Sequence, residues 1–155
     1  MSFAAVLEAP FGRLGIEITG PHLSRLVFLP RDATPKQSAD PGVRCIAQAL
    51  EQYWTDPGYC FDLPLMPQGS PFRLKVWQAL AQIPVGTTIT YGDLAGRLGS
   101  SARAVGQALG DNPLPIVVPC HRVVSASGGL GGFNHSRSGY SIDIKRWLLT
   151  HEGVL

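Results

Sequence analysis

Apolar positions change their spacing along the chain, and those changes divide it. Up to residue 30 they form short runs, Phe3 to Leu7, Leu14 to Thr19 and Arg25 to Leu29, broken by Pro10-Phe11-Gly12 and Gly20-Pro21. Short apolar runs between Gly and Pro turns predict strands, with His22 as a turn residue. After a polar stretch from Pro30 to Pro41, Val43, Ile46, Ala47, Leu50, Tyr53 and Trp54 recur at helical spacing. Cys45 falls in this helical pattern and is read as core; Cys60, after Gly58-Tyr59, is read as a strand or loop cysteine. Residues 1–66 are therefore expected to form a small β-sheet packed with one helix, and Leu63 to Ser70 reads as the linker.

Residues 67–155 read as mainly helical. Ser70 can cap a helix and Pro71 suits its first position. Phe72, Val76, Ala79, Leu80 and Ile83 give that helix one apolar face, and Pro84 and Gly86 end it. Trp77 is read as core or edge packing. Two short helices are expected next, Tyr91 to Leu98 and Ser101 to Leu109, across the turn Gly99-Ser100. This pairing predicts a helix-turn-helix, whose second helix meets DNA. Ala102, Ala104, Gly106, Ala108 and Gly110 would let that helix approach a partner closely; tight helix–helix packing is the other reading of so many small residues. A last helix is expected from Ile142 to Glu152, with Ser141 as its N-cap and with Lys145 and Arg146 solvated or near phosphates. The fold class is α+β.

Composition narrows the function. Hydrophobic content of 45% with 15% charged residues describes a globular chain, not a disordered one. No apolar run approaches the ~20 residues that span a bilayer, and no signal peptide is evident. Net charge is +2, unevenly placed: residues 1–70 hold five basic and seven acidic side chains, residues 71–155 eight basic and four acidic. Lys and Arg neutralise phosphates, so a nucleic-acid face is expected on the second part. The three cysteines, Cys45, Cys60 and Cys120, form no CxxC. They support neither a zinc site nor a disulfide framework. A free thiol fits a reducing, cytoplasmic compartment.

The candidate chemistry lies in Asn112-Pro-Leu-Pro-Ile-Val-Val-Pro-Cys-His-Arg-Val-Val124. Pro113, Pro115 and Pro119 fix the backbone around Cys120, and an aimed nucleophile needs such a frame. A free thiol, with a pKa of about 8.5, is only a few per cent thiolate at neutral pH, so it needs a base. His121 is the obvious one. Neighbours on an extended chain point to opposite faces, so a turn or a bridging water must connect the pair. Glu152, at the end of the last helix, is a candidate to orient the imidazole. The plainer reading of a cysteine between Pro and Val is a small buried hydrophobe.

Pro119-Cys120-His121-Arg122-Val123 resembles the active-site motif of the O6-alkylguanine-DNA alkyltransferases, or methylated-DNA–protein-cysteine methyltransferases. Phe72-Arg-Leu-Lys-Val-Trp77, Ile83-Pro-Val-Gly86, Thr90-Tyr91-Gly92-Asp-Leu-Ala95, Ala102-Arg103-Ala-Val-Gly106 and Trp147-Leu-Leu-Thr-His-Glu-Gly153 are similar to the family in order and spacing. Pro10-Phe-Gly12 and Leu26-Val-Phe-Leu-Pro30 extend the likeness to nearly the whole chain.

The resemblance implies that Cys120 takes an alkyl group from guanine in double-stranded DNA and is not regenerated, with no cofactor and no metal. It implies that His121 draws the thiol proton through water, that Glu152 holds His121, and that Asn112 braces the turn. Tyr91 would contact the flipped nucleotide and help protonate the departing guanine. Arg103 would enter the space the base vacates, with Ser101, Ala102 and Gly106 also at the DNA. The backbone carbonyls of Cys120 and Val123 would receive the guanine amino group, and Val123, Pro115, Phe133 and Asn134 would line the pocket. The expected partner is DNA containing O6-alkylguanine, O4-alkylthymine being a further substrate to test, and the expected state is a monomer.

The loop Phe133 to Ser141 departs from the family in being several residues longer. It carries His135 and Arg137, read as surface residues or DNA contacts. A non-catalytic binder of alkylguanine that recruits other repair factors is the alternative; such proteins replace the cysteine, which is present here. A cysteine hydrolase using Cys120 and His121 would need an oxyanion hole, for which the sequence carries no signal, and would leave the helix-turn-helix unexplained.

Overall fold

Three antiparallel strands form where the short apolar runs stand: β1 (Ala5–Ala9), β2 (Gly12–Thr19) and β3 (His22–Leu29), in the order β1-β2-β3. The computed structural model describes residues 3–127, 129–135 and 139–155, so the reading of Arg137 lies outside the described residues. By its internal contacts the chain separates into two compact units, Met1–Gln68 and Gly69–Leu155.

In the first unit Leu14, Ile16, Leu23 and Leu26 are buried, with Val43, Ile46, Ala49, Leu50 and Tyr53 of α1 (Pro41–Thr55). Asp40 caps α1, accepting from the Gly42 and Val43 amides, and Pro41 opens the helix. Gly15 is required by close approach: a Cβ there would come within 2.8 Å of the Phe3 ring.

Three sequence expectations change here. Cys45 is exposed, because the buried stripe of α1 runs through Val43 and Ile46 and leaves position 45 on the other face. His22 opens β3 instead of standing in the turn. The start of the expected linker joins the sheet: the Leu23 amide donates to the Pro64 carbonyl (2.8 Å) and the Met66 amide to the Leu23 carbonyl (2.9 Å).

In the second unit Ser70 accepts from the Arg73 amide and Pro71 opens α2 (Pro71–Leu80), which ends before Ile83. Trp77 is buried, and its indole donates to the Ala108 carbonyl at 2.8 Å. This bond ties α2 to α4 (Ala102–Gly110). Between them, β4 (Ile89–Thr90) leads directly into α3 (Tyr91–Leu98), capped by Thr90. Gly99 ends α3 at φ 63°, a left-handed conformation that favours glycine. Ser101 then caps α4 through the Ala104 amide.

The last helix, α5 (Tyr140–His151), starts earlier than expected; its N-cap position is Gly139 at φ 75°, and Ser141 lies within the first turn. Strands and helices together make a mixed α+β fold.

The smallest sheet positions the chemistry. β4 pairs in parallel with β5 (Val123–Val124), Ile89 opposite Val123 and Thr90 opposite Val124. Tyr91 follows β4 immediately, and the 3-10 turn Cys120–Arg122 precedes β5 immediately. Two short strands thereby bring the start of α3 beside the cysteine.

Candidate active site

The backbone before Cys120 is held by one buried side chain. Asn112 donates from Nδ2 to the Val118 carbonyl (2.9 Å) and accepts at Oδ1 from the Leu114 amide (3.0 Å). The turn it spans contains Ile116 at φ 78°. A β-branched residue rarely adopts that conformation, and it persists only where the surroundings fix it. Here Pro113, Pro115 and Asn112 do so.

The 3-10 turn solves the geometry of adjacent residues. It puts Cys120 and His121 on different neighbours, both buried. No hydrogen bond joins the two directly among the described residues. His121 Nε2 lies 2.8 Å from Glu152 Oε2, and both side chains are fully buried. Arg122 grips the same carboxylate twice, Nε to Oε1 at 2.8 Å and Nη2 to Oε2 at 3.0 Å, and its third nitrogen donates to the Ile83 carbonyl at 2.7 Å. A carboxylate held this way accepts the Nε2 proton of a neutral imidazole, which leaves Nδ1 as the basic nitrogen. His121 Nδ1 is buried without a protein partner among the described residues.

Burial dominates the protonation states. It pushes the Cys120 thiol up, opposed in part by the Asn112 side chain, the Lys145 charge and a backbone hydrogen bond. It pushes His121 down, opposed by the hydrogen bond and charge of Glu152. The resting pair is therefore a neutral thiol and a neutral imidazole.

Lys145 is the residue the sequence reading missed. It is fully buried on α5, not solvated. Its ammonium donates to the Val123 carbonyl (2.7 Å) and to the Gly132 carbonyl (2.9 Å). Burial lowers it to about 8, opposed by the charge of Cys120. Its helical phase carried the signal, since position 145 lies on the stripe that joins Ile142 to Leu149.

A cavity of about 610 Å3 opens on Cys120. Tyr91, Arg103, Ala102, Gly106, Phe133 and Asn134 also line it. The Tyr91 hydroxyl exchanges two hydrogen bonds with Gly132, donating to its carbonyl at 3.2 Å and accepting from its amide at 3.1 Å. Arg103 is exposed and forms no ion pair among the described residues. Val123 and Pro115 are buried but are not among the lining residues, and Ser101 caps α4 outside the lining. Among the described residues no group of His, Cys, Asp and Glu could hold a metal, and no helix is long and apolar enough to cross a membrane.

Residues 71–154 match the family described as 6-O-methylguanine DNA methyltransferase, DNA binding domain. A methylated-DNA–protein-cysteine methyltransferase of Bacillus subtilis is 35% identical, over 99% of this chain and 97% of its own length. The chain belongs to the 6-O-methylguanine DNA methyltransferase family. A relative in Haemophilus influenzae, named methylated-DNA–protein-cysteine methyltransferase, is 36% identical over 94% of this chain and 83% of its own. Among solved structures, Mycobacterium tuberculosis OGT in complex with DNA is 38% identical with a TM-score of 0.78, covering 95% of this chain and 90% of that one. The likeness to this family's structures extends over both units of the chain, and its DNA-binding description covers the unit that holds Cys120.

Proposed function

We propose that this alkyltransferase repairs DNA by direct reversal, moving the alkyl group of O6-alkylguanine onto Cys120 in a single irreversible turnover. One observation carries the reading: the buried thiol of Cys120 opens on the same cavity as Tyr91 and as Arg103 of α4. A nucleophile and an exposed cation from a short helix share one space large enough for a base.

In this reading α3 and α4 are a helix-turn-helix and α4 meets the minor groove. Gly106 supports it over the helix-packing alternative. A Cβ at Gly106 would meet nothing within 4 Å, so the fold itself does not require a glycine there. Close approach by a partner does. Arg103 fills the gap left by the flipped nucleotide, which offsets part of the few kcal/mol that unstacking costs.

The chemistry follows from the site. The thiol proton passes through a bridging water to His121 Nδ1, while Glu152 holds the Nε2 proton. The Lys145 ammonium steadies the thiolate as it forms. Sulfur bonds to the alkyl carbon, the carbon–O6 bond breaks, and its electron pair goes to guanine. Tyr91 donates a proton to the departing base and recovers one from solvent. The product is a thioether that no group here can cleave, so each chain acts once; the acting unit is taken to be a monomer.

Incubation with duplex DNA carrying O6-methylguanine tests this: Cys120 gains one methyl mass. Binding to that DNA with no mass gain favours the recruiting, non-catalytic reading instead.

A further inference from the structure

The pocket loop is fastened at two places, and the repair reading uses only one. At Gly132 it is held by Tyr91 and Lys145. Three residues further on, His135 Nε2 lies 2.7 Å from Asp111 Oδ1. Asp111 is the C-cap residue of α4, and its other oxygen is paired with Arg73 of α2. The His135 ring lies on the bare backbone of Gly110, the last residue of α4, where a Cβ would collide with the imidazole. Asn134 and His135 both take positive φ, 54° and 63°. Asn and His enter that conformation more readily than other non-glycine residues, and the bond to Asp111 holds His135 there.

This second fastening joins the loop to the end of α4, and both line the cavity. Arg103, Gly106 and Gly110 of α4 and Gly131, Phe133 and His135 of the loop all line the cavity. His135 links the loop to the last residue and the C-cap of α4.

We propose that His135 is a specificity-determining residue: bolted to Asp111 and seated on Gly110, it fixes the separation of the loop from α4 and limits the size of the O6 substituent accepted. The inference rests on the repair reading. It deepens that reading by naming the substrate class, small O6-alkyl groups ahead of bulky arylmethyl ones.

The test compares transfer rates to Cys120 from two duplex oligonucleotides, one with O6-methylguanine and one with O6-benzylguanine. The variants are His135→Ala, which removes the bolt, and Gly110→Ala, which unseats the ring and leaves Asp111 in place. Alanine is also the better helix former, so Gly110→Ala keeps α4 folded. In both variants the benzyl-to-methyl rate ratio rises by about threefold or more, a modest change because a single exposed hydrogen bond biases the loop only modestly. A ratio within about twofold of the parent in both variants overturns the inference, on the same scale of effect. A parent chain that transfers neither group defeats the repair reading itself, which is a separate result.

Discussion

His121 and Glu152 meet through Nε2 and Oε2 at 2.8 Å with both side chains sealed from solvent. The carboxylate is also gripped twice by Arg122. This fixes which nitrogen of His121 stays basic. Glu152→Ala leaves a buried imidazole and a guanidinium without their partner. Stability falls by about 3 kcal/mol, the usual result of removing one side of a buried pair. Alkyl transfer falls by about a hundredfold or more, as for loss of a positioned base. Glu152→Gln keeps the shape, so it recovers more stability than activity. Denaturant unfolding beside single-turnover rates separates the two.

The pH dependence of His121 has a definite sign. Burial holds its folded pKa below the ordinary 6.5. As pH falls below 6.5 the unfolded chain takes up a proton that the folded chain refuses, so stability declines at up to about 1.4 kcal/mol per pH unit from this group. The imidazole of the folded protein meanwhile stays neutral and able to accept a proton. Transfer therefore begins to drop at a lower pH than stability does. Rates and unfolding midpoints measured between about pH 5 and 8, bracketing the ordinary histidine range, check this.

Lys145 makes an opposed pair of predictions. Its ammonium is buried and sits at about 8, below the ordinary 10.5, so folding with it charged costs free energy. Lys145→Met removes that cost and is expected to unfold no more easily than the parent at pH 7. The same change frees the carbonyls of Val123 and of Gly132, a residue of the pocket lining, and removes the cation beside Cys120, so transfer slows by about tenfold or more. From pH 8 to 10.5 the unfolded chain holds the lysine proton more tightly than the folded one. The parent's handicap at this residue therefore shrinks as pH rises, and so does the variant's advantage.

Two residues of α4 test the DNA face. Gly106→Leu places a side chain where the fold leaves open space and removes a helix glycine, so stability holds or improves by up to about 1 kcal/mol. Affinity for duplex DNA falls by about tenfold as the helix is held away from the groove. Arg103→Ala leaves folding intact and slows repair of duplex more than reaction with alkylguanine in single strands, where no vacated stack needs filling. Binding titrations and paired rates on the two substrates decide it.

Much of this was legible in the residues. Ser70 and Pro71 announced the start of α2, Gly99 the end of α3, and the apolar spacing of α1 its buried face. The site motif announced itself because Cys120, His121 and three prolines stand within a few residues of each other. What the sequence concealed were choices that tertiary contacts make. Lys145 looked like a surface lysine because Lys ordinarily prefers water; the carbonyls of Val123 on β5 and of Gly132 changed that preference. Cys45 looked like core because cysteine often is, yet one helical phase step exposes it. His135 had no reading beyond surface or DNA contact, since its partners Asp111 and Gly110 lie more than twenty residues earlier in the chain.

The central claim is that Cys120 is an acceptor consumed once. Intact-mass measurement after incubation with excess O6-methylguanine duplex, followed by peptide mapping, tests it most directly. The account predicts one methyl mass per chain, located on Cys120, with no further turnover and none in Cys120→Ala, which still binds the DNA. An unmodified Cys120 in a chain that binds, or repair that continues beyond one equivalent, contradicts it.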